Sequence, residues 1–212
     1  MEAQIIESSA MQTVPLFITL VLGAYCLGSI SFAVVVSFLL RLPDPRSYGS
    51  KNPGATNVLR SGSKLAALLT LVGDAGKGWL AVWLAAWFSY DAAAIAAAGL
   101  AAFLGHLFPV FHRFRGGKGV ATAAAVLFGF DLRLGLATLG FFVVVVAATR
   151  YVSLASMAAA VLACGLAWYL GLDAYVIGAI AVMAAMIIWR HKENIRRLLA
   201  GNESKLGAKK AG

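Results

Sequence analysis

Three stretches of this chain set basic side chains among glycines, prolines and hydroxyl or amide residues, a mixture suited to holding oxyanions. The first is LPDPRSYGSKNPGATNVLRSGSK, residues 42 to 64. Pro43, Pro45 and Pro53 with Gly49, Gly54 and Gly62 rule out one continuous helix, so YGSKNPGATN is expected as a loop whose amides are free to converge. ATNVLR then opens a short helix, with Asn57 and Arg60, three apart, on one face. Arg46, Ser50, Asn52, Asn57 and Arg60 are the candidate contacts. Backbone amides in a concavity donate to oxygens, and a guanidinium pairs with them through two parallel hydrogen bonds.

The second is GHLFPVFHRFRGGKGVAT, residues 105 to 122. Gly116, Gly117 and Gly119 let a backbone approach a phosphate, Lys118 adds a point charge, and a helix opening at Gly119 turns its positive end the same way. No strand precedes the stretch and no Lys-Ser/Thr pair follows, so it is not a Walker loop. His106 reads as a packed interfacial histidine rather than a catalyst. The third is WRHKENIRRLLAGNESK, residues 189 to 205. Ile195, Leu198 and Leu199 form an apolar stripe bordered by bases, as in a helix lying in the headgroup plane, while His191 and Asn194 project together. Composition alone leaves plainer readings open: a solvated basic connection for the first stretch, and a membrane-surface anchor for the third.

The elements that must position these residues are apolar. The chain is 61% hydrophobic and 13% charged with a mean hydropathy of +0.83, against roughly 45–50% apolar and about 25% charged in soluble domains. An integral membrane protein follows, since lipid demands apolar segments that satisfy their own backbone groups. Seven apolar runs are read, at 14–39, 65–88, 92–109, 119–130, 134–149, 152–171 and 174–189, none alternating with period two. The expectation is an all-α polytopic protein of seven transmembrane helices, forming one domain over 1–212 with no repeat and no soluble appendage.

Seven crossings segregate the charges. Of 18 Lys and Arg, 16 fall on one side, Lys77 lies inside a span and Arg133 lies opposite, where Glu2, Glu7, Asp91, Asp131 and Asp173 gather. The basic side is then cytoplasmic, with the N-terminus outside. Residues 1–13 become an external extension, with Met11 an alternative start to Met1, and 190–212 a cytoplasmic interfacial tail. Asp74 and Lys77, three apart within a span, are expected to pair and to face protein or water. Cys26 and Cys164 read as packing residues.

What is missing narrows the chemistry. Acids on the basic side are few and scattered, so no metal and no cofactor is expected, and a metal-dependent phosphotransferase is disfavoured. No Gly-x-Ser-x-Gly elbow offers a covalent serine. The site suggested is cationic and built for phosphates. A phosphate-ester carrier and a lipid-binding scaffold remain as rival readings.

These residues resemble a known family, the bacterial acyl-phosphate:glycerol-3-phosphate acyltransferases of the PlsY type. The resemblance rests on YCLGSISFA, LPDPRSYGSKNPGATNVLRSG, GDAGKG, GHLFPVFHRFRGGKGVAT and RHKENIRRLLAGNESK, in family order across most of residues 20 to 205. It departs at Lys51, where many relatives have glycine, and at GSISF, where many have a proline form. The resemblance implies transfer of a fatty acyl group from acyl phosphate to the 1-hydroxyl of sn-glycerol 3-phosphate, an early step of phospholipid biosynthesis. It would occur at the cytoplasmic face of the bacterial inner membrane. It makes Ser50, Arg60, His191 and Asn194 the active positions, links Gly116, Gly117 and Gly119 to glycerol-phosphate binding, and gives Glu203 a structural part. The partners implied are the two substrates and membrane lipid, with no nucleic acid and no obligate protein. Arg60 with Ser50 is expected to hold one phosphate and the 116–119 loop the other, while His191 and Asn194 orient hydroxyl or carbonyl.

Overall fold

A computed structural model describes residues 2–89 and 91–207, with side chains from residue 14 onward, and every regular element among the described residues is helical. The side chains of the expected external extension, 1–13, and the tail residues 208–212 lie outside this description. The order is α1 (Glu2–Gly28), α2 (Phe32–Leu39), α3 (Ala55–Val58), α4 (Lys64–Phe88), α5 (Ala92–Leu107), α6 (Val120–Phe130), α7 (Leu132–Thr149), α8 (Val152–Tyr169), α9 (Ala174–Arg190) and α10 (Lys192–Leu199). Among the described residues, four spans are long and apolar enough to cross a bilayer: α4, α5 together with the turn that follows it (Ala92–His112), α7 and α8. Two bent pairs, α1–α2 at 45° and α9–α10 at 56°, pass only when taken together. At 11 residues, α6 rises only ~16 Å, about half of a ~30 Å hydrocarbon core.

The run read as one span over 14–39 is therefore two helices. Just before the break the backbones pack closely: a side chain at Gly28 would strike the Ala102 carbonyl, and one at Gly105 the Tyr25 carbonyl, so α1 and α5 touch main chain to main chain. Beyond Gly28 the helix opens, Ser29 Oγ donates back to Tyr25 O (2.9 Å), and Ile30 O is left for a side chain to satisfy.

Asp91, Asp131 and Asp173, which sequence reading used only as charge markers, are N-caps. They accept from Ala93 N (3.1 Å), from Arg133 N and Leu134 N (2.8 and 3.1 Å), and from Tyr175 N (2.8 Å). They begin α5, α7 and α9 at the end away from the basic segments. The four basic connections, in turn, touch one another. Arg60 reaches Ser204, Lys118 reaches Asn194, Arg190 reaches the 116–117 backbone, and Arg150 reaches Leu206. So α4–α5, α6–α7 and α8–α9 are hairpins that each return to one common end. Phe103, Leu107, Val126, Leu134, Ile180 and Met183 fill the core between them, while Trp79, Trp83, Val143, Val144 and Val161 face outward as lipid requires.

Candidate active site

The first basic segment is built around Asn57. Its buried amide donates to Pro45 O (2.7 Å) and Tyr48 O (3.2 Å), and its Oδ1 accepts from Ser50 N (2.9 Å). All of its hydrogen-bonding capacity toward this loop is inside the protein, so Asn57 shapes the loop and is not presented to a ligand. Arg60, three residues on at the 3-10 turn after α3, lies over Gly49: a side chain there would meet its Cδ at 3.2 Å and Nη1 at 3.3 Å. Gly49 and Lys51 both have left-handed backbones (φ 58° and 56°), and Ser50 is exposed between them. The position where Lys51 departs from the family pattern is thus one that favours glycine. Arg46 pairs with Asp44 at 2.6 Å in its own turn and does not join Arg60. Asn52 is partly buried, with its carbonyl accepting Gly54 N–H at 3.0 Å.

The glycine segment corrects an expectation. Gly116 and Gly117 are buried and their amides donate to Leu107 O and His106 O, each at 3.1 Å, so they do not cradle a phosphate. Their carbonyls accept from the Arg190 guanidinium at 2.7 and 3.1 Å. Any side chain at 116 would strike the His106 carbonyl, and any at 117 the His106 ring. Missing Cβ atoms here let the segment lie flat on α5. Anion-binding capacity is left to Lys118 and to the first-turn amides of α6, Val120 to Thr122. These precede the first helical hydrogen bond, Ala123 N to Gly119 O at 2.8 Å, and Gly119 itself takes φ 80° to start that turn.

The third segment joins the other two. Lys118 Nζ donates to Asn194 Oδ1, and Asn194 Nδ2 donates to Glu203 Oε1 at 2.5 Å. Glu203, whose side chain is 7% exposed, also accepts from Ser153 Oγ (2.6 Å) and Arg197 Nε (2.7 Å). Next to it, Ser204 Oγ meets Arg60 Nη2 at 3.4 Å. The tail therefore ties α8, α10, the glycine segment and the first basic segment to one carboxylate. Leu206 is pinned in turn by Arg150, which offers its backbone carbonyl (2.7 Å) and its guanidinium (2.8 Å).

Electrostatics follow from that crowding. Burial, then repulsion from Arg197, pushes the Lys118 ammonium down to about 8, with Arg190 and Arg60 adding to it and Glu203 opposing. Burial, then Lys118, pushes His191 down to about 4. Its Nδ1 lies 2.8 Å from Ile187 O, so a neutral ring carries its proton there and keeps Nε2 as the lone-pair acceptor. Burial works against ionisation of Glu203, yet hydrogen bonds from Ser153, Asn194 and Arg197 hold its carboxyl below the usual range.

Of the sequence candidates, the structure brings together Arg60, Lys118, His191, Asn194 and Glu203, and leaves Ser50 exposed in its own loop with its amide on Asn57 Oδ1. It leaves Arg46 and Asn52 in their own turns, and uses Asn57, Gly116, Gly117 and Gly119 as scaffold. Asp74 and Lys77 pair at 3.0 Å deeper in the bundle. Sequence reading missed Arg190, Arg197, Arg150 and Ser153 as site partners. The arginines stood in a run of bases that carried only a charge signal, and Ser153 at the mouth of an apolar run carried none.

The geometry can be set beside known proteins. The family model described as glycerol-3-phosphate acyltransferase matches residues 18–201. A glycerol-3-phosphate acyltransferase of Ralstonia pickettii is 56% identical over 193 residues, covering 89% of this chain and 93% of that protein. One from Paraburkholderia phymatum is 56% identical over 191 residues, covering 88% and 91%. Among solved structures, PlsY, an integral membrane glycerol 3-phosphate acyltransferase, matches in its glycerol 3-phosphate form with a TM-score of 0.86 and 40% identity over 90% of this chain and 96% of that one. Its lysophosphatidic acid form gives 0.84 and 39%, over 90% and 95%. With the family match running from residue 18 to 201 and relatives 56% identical over about nine-tenths of the chain, the chain belongs to the glycerol-3-phosphate acyltransferase family.

Proposed function

We propose that this chain transfers a fatty acyl group from acyl phosphate to the 1-hydroxyl of sn-glycerol 3-phosphate. The observation that carries the reading is the convergence of Arg60, Lys118 and Asn194, from three separate connections, on the turn that carries Glu203 and Ser204. Relatives named for glycerol-3-phosphate acyl transfer, and a neighbour solved in glycerol 3-phosphate and lysophosphatidic acid forms, support the acceptor and the product. The segregation of basic connections supports seven crossings of the bacterial inner membrane, the N-terminus outside and the site facing the cytoplasm.

In the proposed reaction the glycerol oxygen bonds to the acyl carbon, the bond from that carbon to the phosphate oxygen breaks, and inorganic phosphate leaves. Acyl phosphate is a mixed anhydride with a good leaving group, so the protein needs mainly to hold two anions together and stabilise developing charge. Lys118 and the first turn of α6 receive the glycerol phosphate, and Arg60 with Ser50 receives the acyl phosphate. His191 Nε2 accepts the attacking hydroxyl. A ring held near 4 is a weak base, which favours delivery of the hydroxyl proton to the departing phosphate. Lysophosphatidate leaves into the bilayer by its tail.

The test incubates purified protein with labelled glycerol 3-phosphate and, separately, palmitoyl phosphate, palmitoyl-CoA or palmitoyl carrier protein. Labelled lysophosphatidate from palmitoyl phosphate alone is the expected result. Product from a thioester refutes the donor. Uptake of label into proteoliposomes without esterification refutes acyl transfer in favour of a carrier.

A further inference from the structure

The buried Asp74–Lys77 pair is not a self-contained ion pair. Lys77 Nζ also donates to Ile30 O at 2.6 Å, the carbonyl freed where α1 breaks from α2. That break sets the 45° bend that aims α2, and the first basic segment after it, toward the site. Asp74 Oδ1 lies 3.5 Å from His106 Nδ1 on α5, and Asp74 O accepts from Thr122 Oγ1 on α6 at 2.8 Å. The other face of the His106 ring fills the space where Gly117 lacks a side chain, and its backbone carbonyl holds the Gly117 amide at 3.1 Å. All three side chains are at most 7% exposed. One cluster thus touches the support of the first basic segment, through Ile30, and the glycine segment, through Gly117.

We propose that Asp74, Lys77 and His106 form a positioning device that fixes the separation of the two anion-binding segments, with His106 as the positioning residue for Lys118. Two phosphate-bearing substrates repel, so their pockets must be held at a set distance by something other than the substrates. Surface connections rich in glycine and proline cannot do this by themselves. Charged groups inside a bilayer are costly unless paired, and here the pair on α4 reaches outward to the α1–α2 break through Lys77 and to α5 through Asp74. A misplacement of about 1 Å in such a site lowers turnover by as much as ~100-fold.

The inference rests on the acyl-transfer reading for its kinetic arm only. The variants are His106→Phe, which keeps a flat ring against Gly117 and removes the group facing Asp74, and the charge-balanced double variant Asp74→Asn/Lys77→Met. The double variant guards against a misfolded charge-unpaired single. Both are reconstituted in lipid nanodiscs for hydrogen exchange, thermal unfolding and steady-state kinetics with both substrates. Expected is faster exchange confined to amides 116–121 and the 40–60 segment, with 132–169 unchanged. The KM for glycerol 3-phosphate rises about tenfold or more. Exchange unchanged at both segments, or raised equally through all helices, would overturn the proposal. So would local loosening with wild-type KM values in an active enzyme. If the unaltered protein transfers no acyl group, the proposed function has failed independently and the exchange pattern alone decides the positioning role.

Discussion

Glu203→Gln tests the hub of the site. The carboxylate receives Ser153 Oγ at 2.6 Å, Asn194 Nδ2 at 2.5 Å and Arg197 Nε at 2.7 Å. Glutamine keeps one oxygen, which can still serve Ser153 and Asn194, but its NH2 group then faces the Arg197 guanidinium, donor against donor. Loss of charge turns two charge-assisted hydrogen bonds into neutral ones, a difference of about 1 kcal/mol each. The Arg197 side chain is 43% exposed, so its ion pair is discounted for solvent screening to about 1 kcal/mol. The sum is about 3 kcal/mol, and Asn194, which holds Lys118, bears part of it. With roughly 1.4 kcal/mol per factor of ten, kcat/KM is expected to fall about 10- to 100-fold, accompanied by a lower unfolding temperature. Arg197→Met, which removes only the screened partner, should lose no more than about tenfold. The assay is lysophosphatidate formation in detergent at saturating donor, with thermal unfolding measured in parallel. A Glu203→Gln protein with wild-type kcat/KM and wild-type unfolding temperature refutes the claim that this carboxylate organises the site.

Gly117→Ala drives a methyl into the His106 ring, and is expected to raise the KM for glycerol 3-phosphate more than it lowers kcat; a change confined to the acyl donor would exchange the two pockets. His191→Gln should retain turnover within about tenfold of wild type while His191→Ala loses about 100-fold or more, because orientation rather than basicity is at stake; equal and severe losses would instead point to base catalysis. Lys118, held at about 8, binds phosphate as the ammonium, so the KM for glycerol 3-phosphate should rise as pH climbs through that value, and Lys118→Arg should flatten the rise. The unfolded chain keeps this proton up to the ordinary lysine value of 10.5, so the same group makes the fold more stable over that window, and an activity loss with falling unfolding temperature would contradict the assignment. Lys51→Gly relieves a left-handed backbone worth about 1 kcal/mol, of which the freer unfolded chain returns a part; slower proteolysis of the 45–54 loop is expected, and faster cleavage would show that Lys51 is not strained.

Charge and apolar run length made most of the helical order legible, because lipid filters both so strongly. The boundaries of α4, α5 and α9 fall within two residues of the apolar runs 65–88, 92–109 and 174–189. The break at Ser29–Ser31 is not legible, since nothing in the apolar run 14–39 marks it and its partners, Ala102 beside Gly28 and Lys77 on Ile30 O, lie far along the chain. Arg60, Lys118 and Glu203 stand out as charges in the sequence, whereas Arg190 and Arg197 are lost in a run of bases; Gly116 and Gly117 read as ligand contacts, but their backbone groups belong to His106, Leu107 and Arg190. Glycine signals a close approach without saying to what. Ser153 and Arg197 escaped notice because their importance comes only from Glu203, whose partners are fixed by a tail folding back over the bundle.

That fold-back sets the order in which the enzyme can come into being. Glu203, on which Asn194 leans, comes after the last described helix, and Ser204 beside it meets Arg60 from 144 positions earlier. During synthesis every apolar helix is made before Glu203, so the basic segments can be joined only after the helices they connect have emerged. A nascent chain arrested at Gly201 would have its helices without the carboxylate that ties Ser153, Asn194 and Arg197 together.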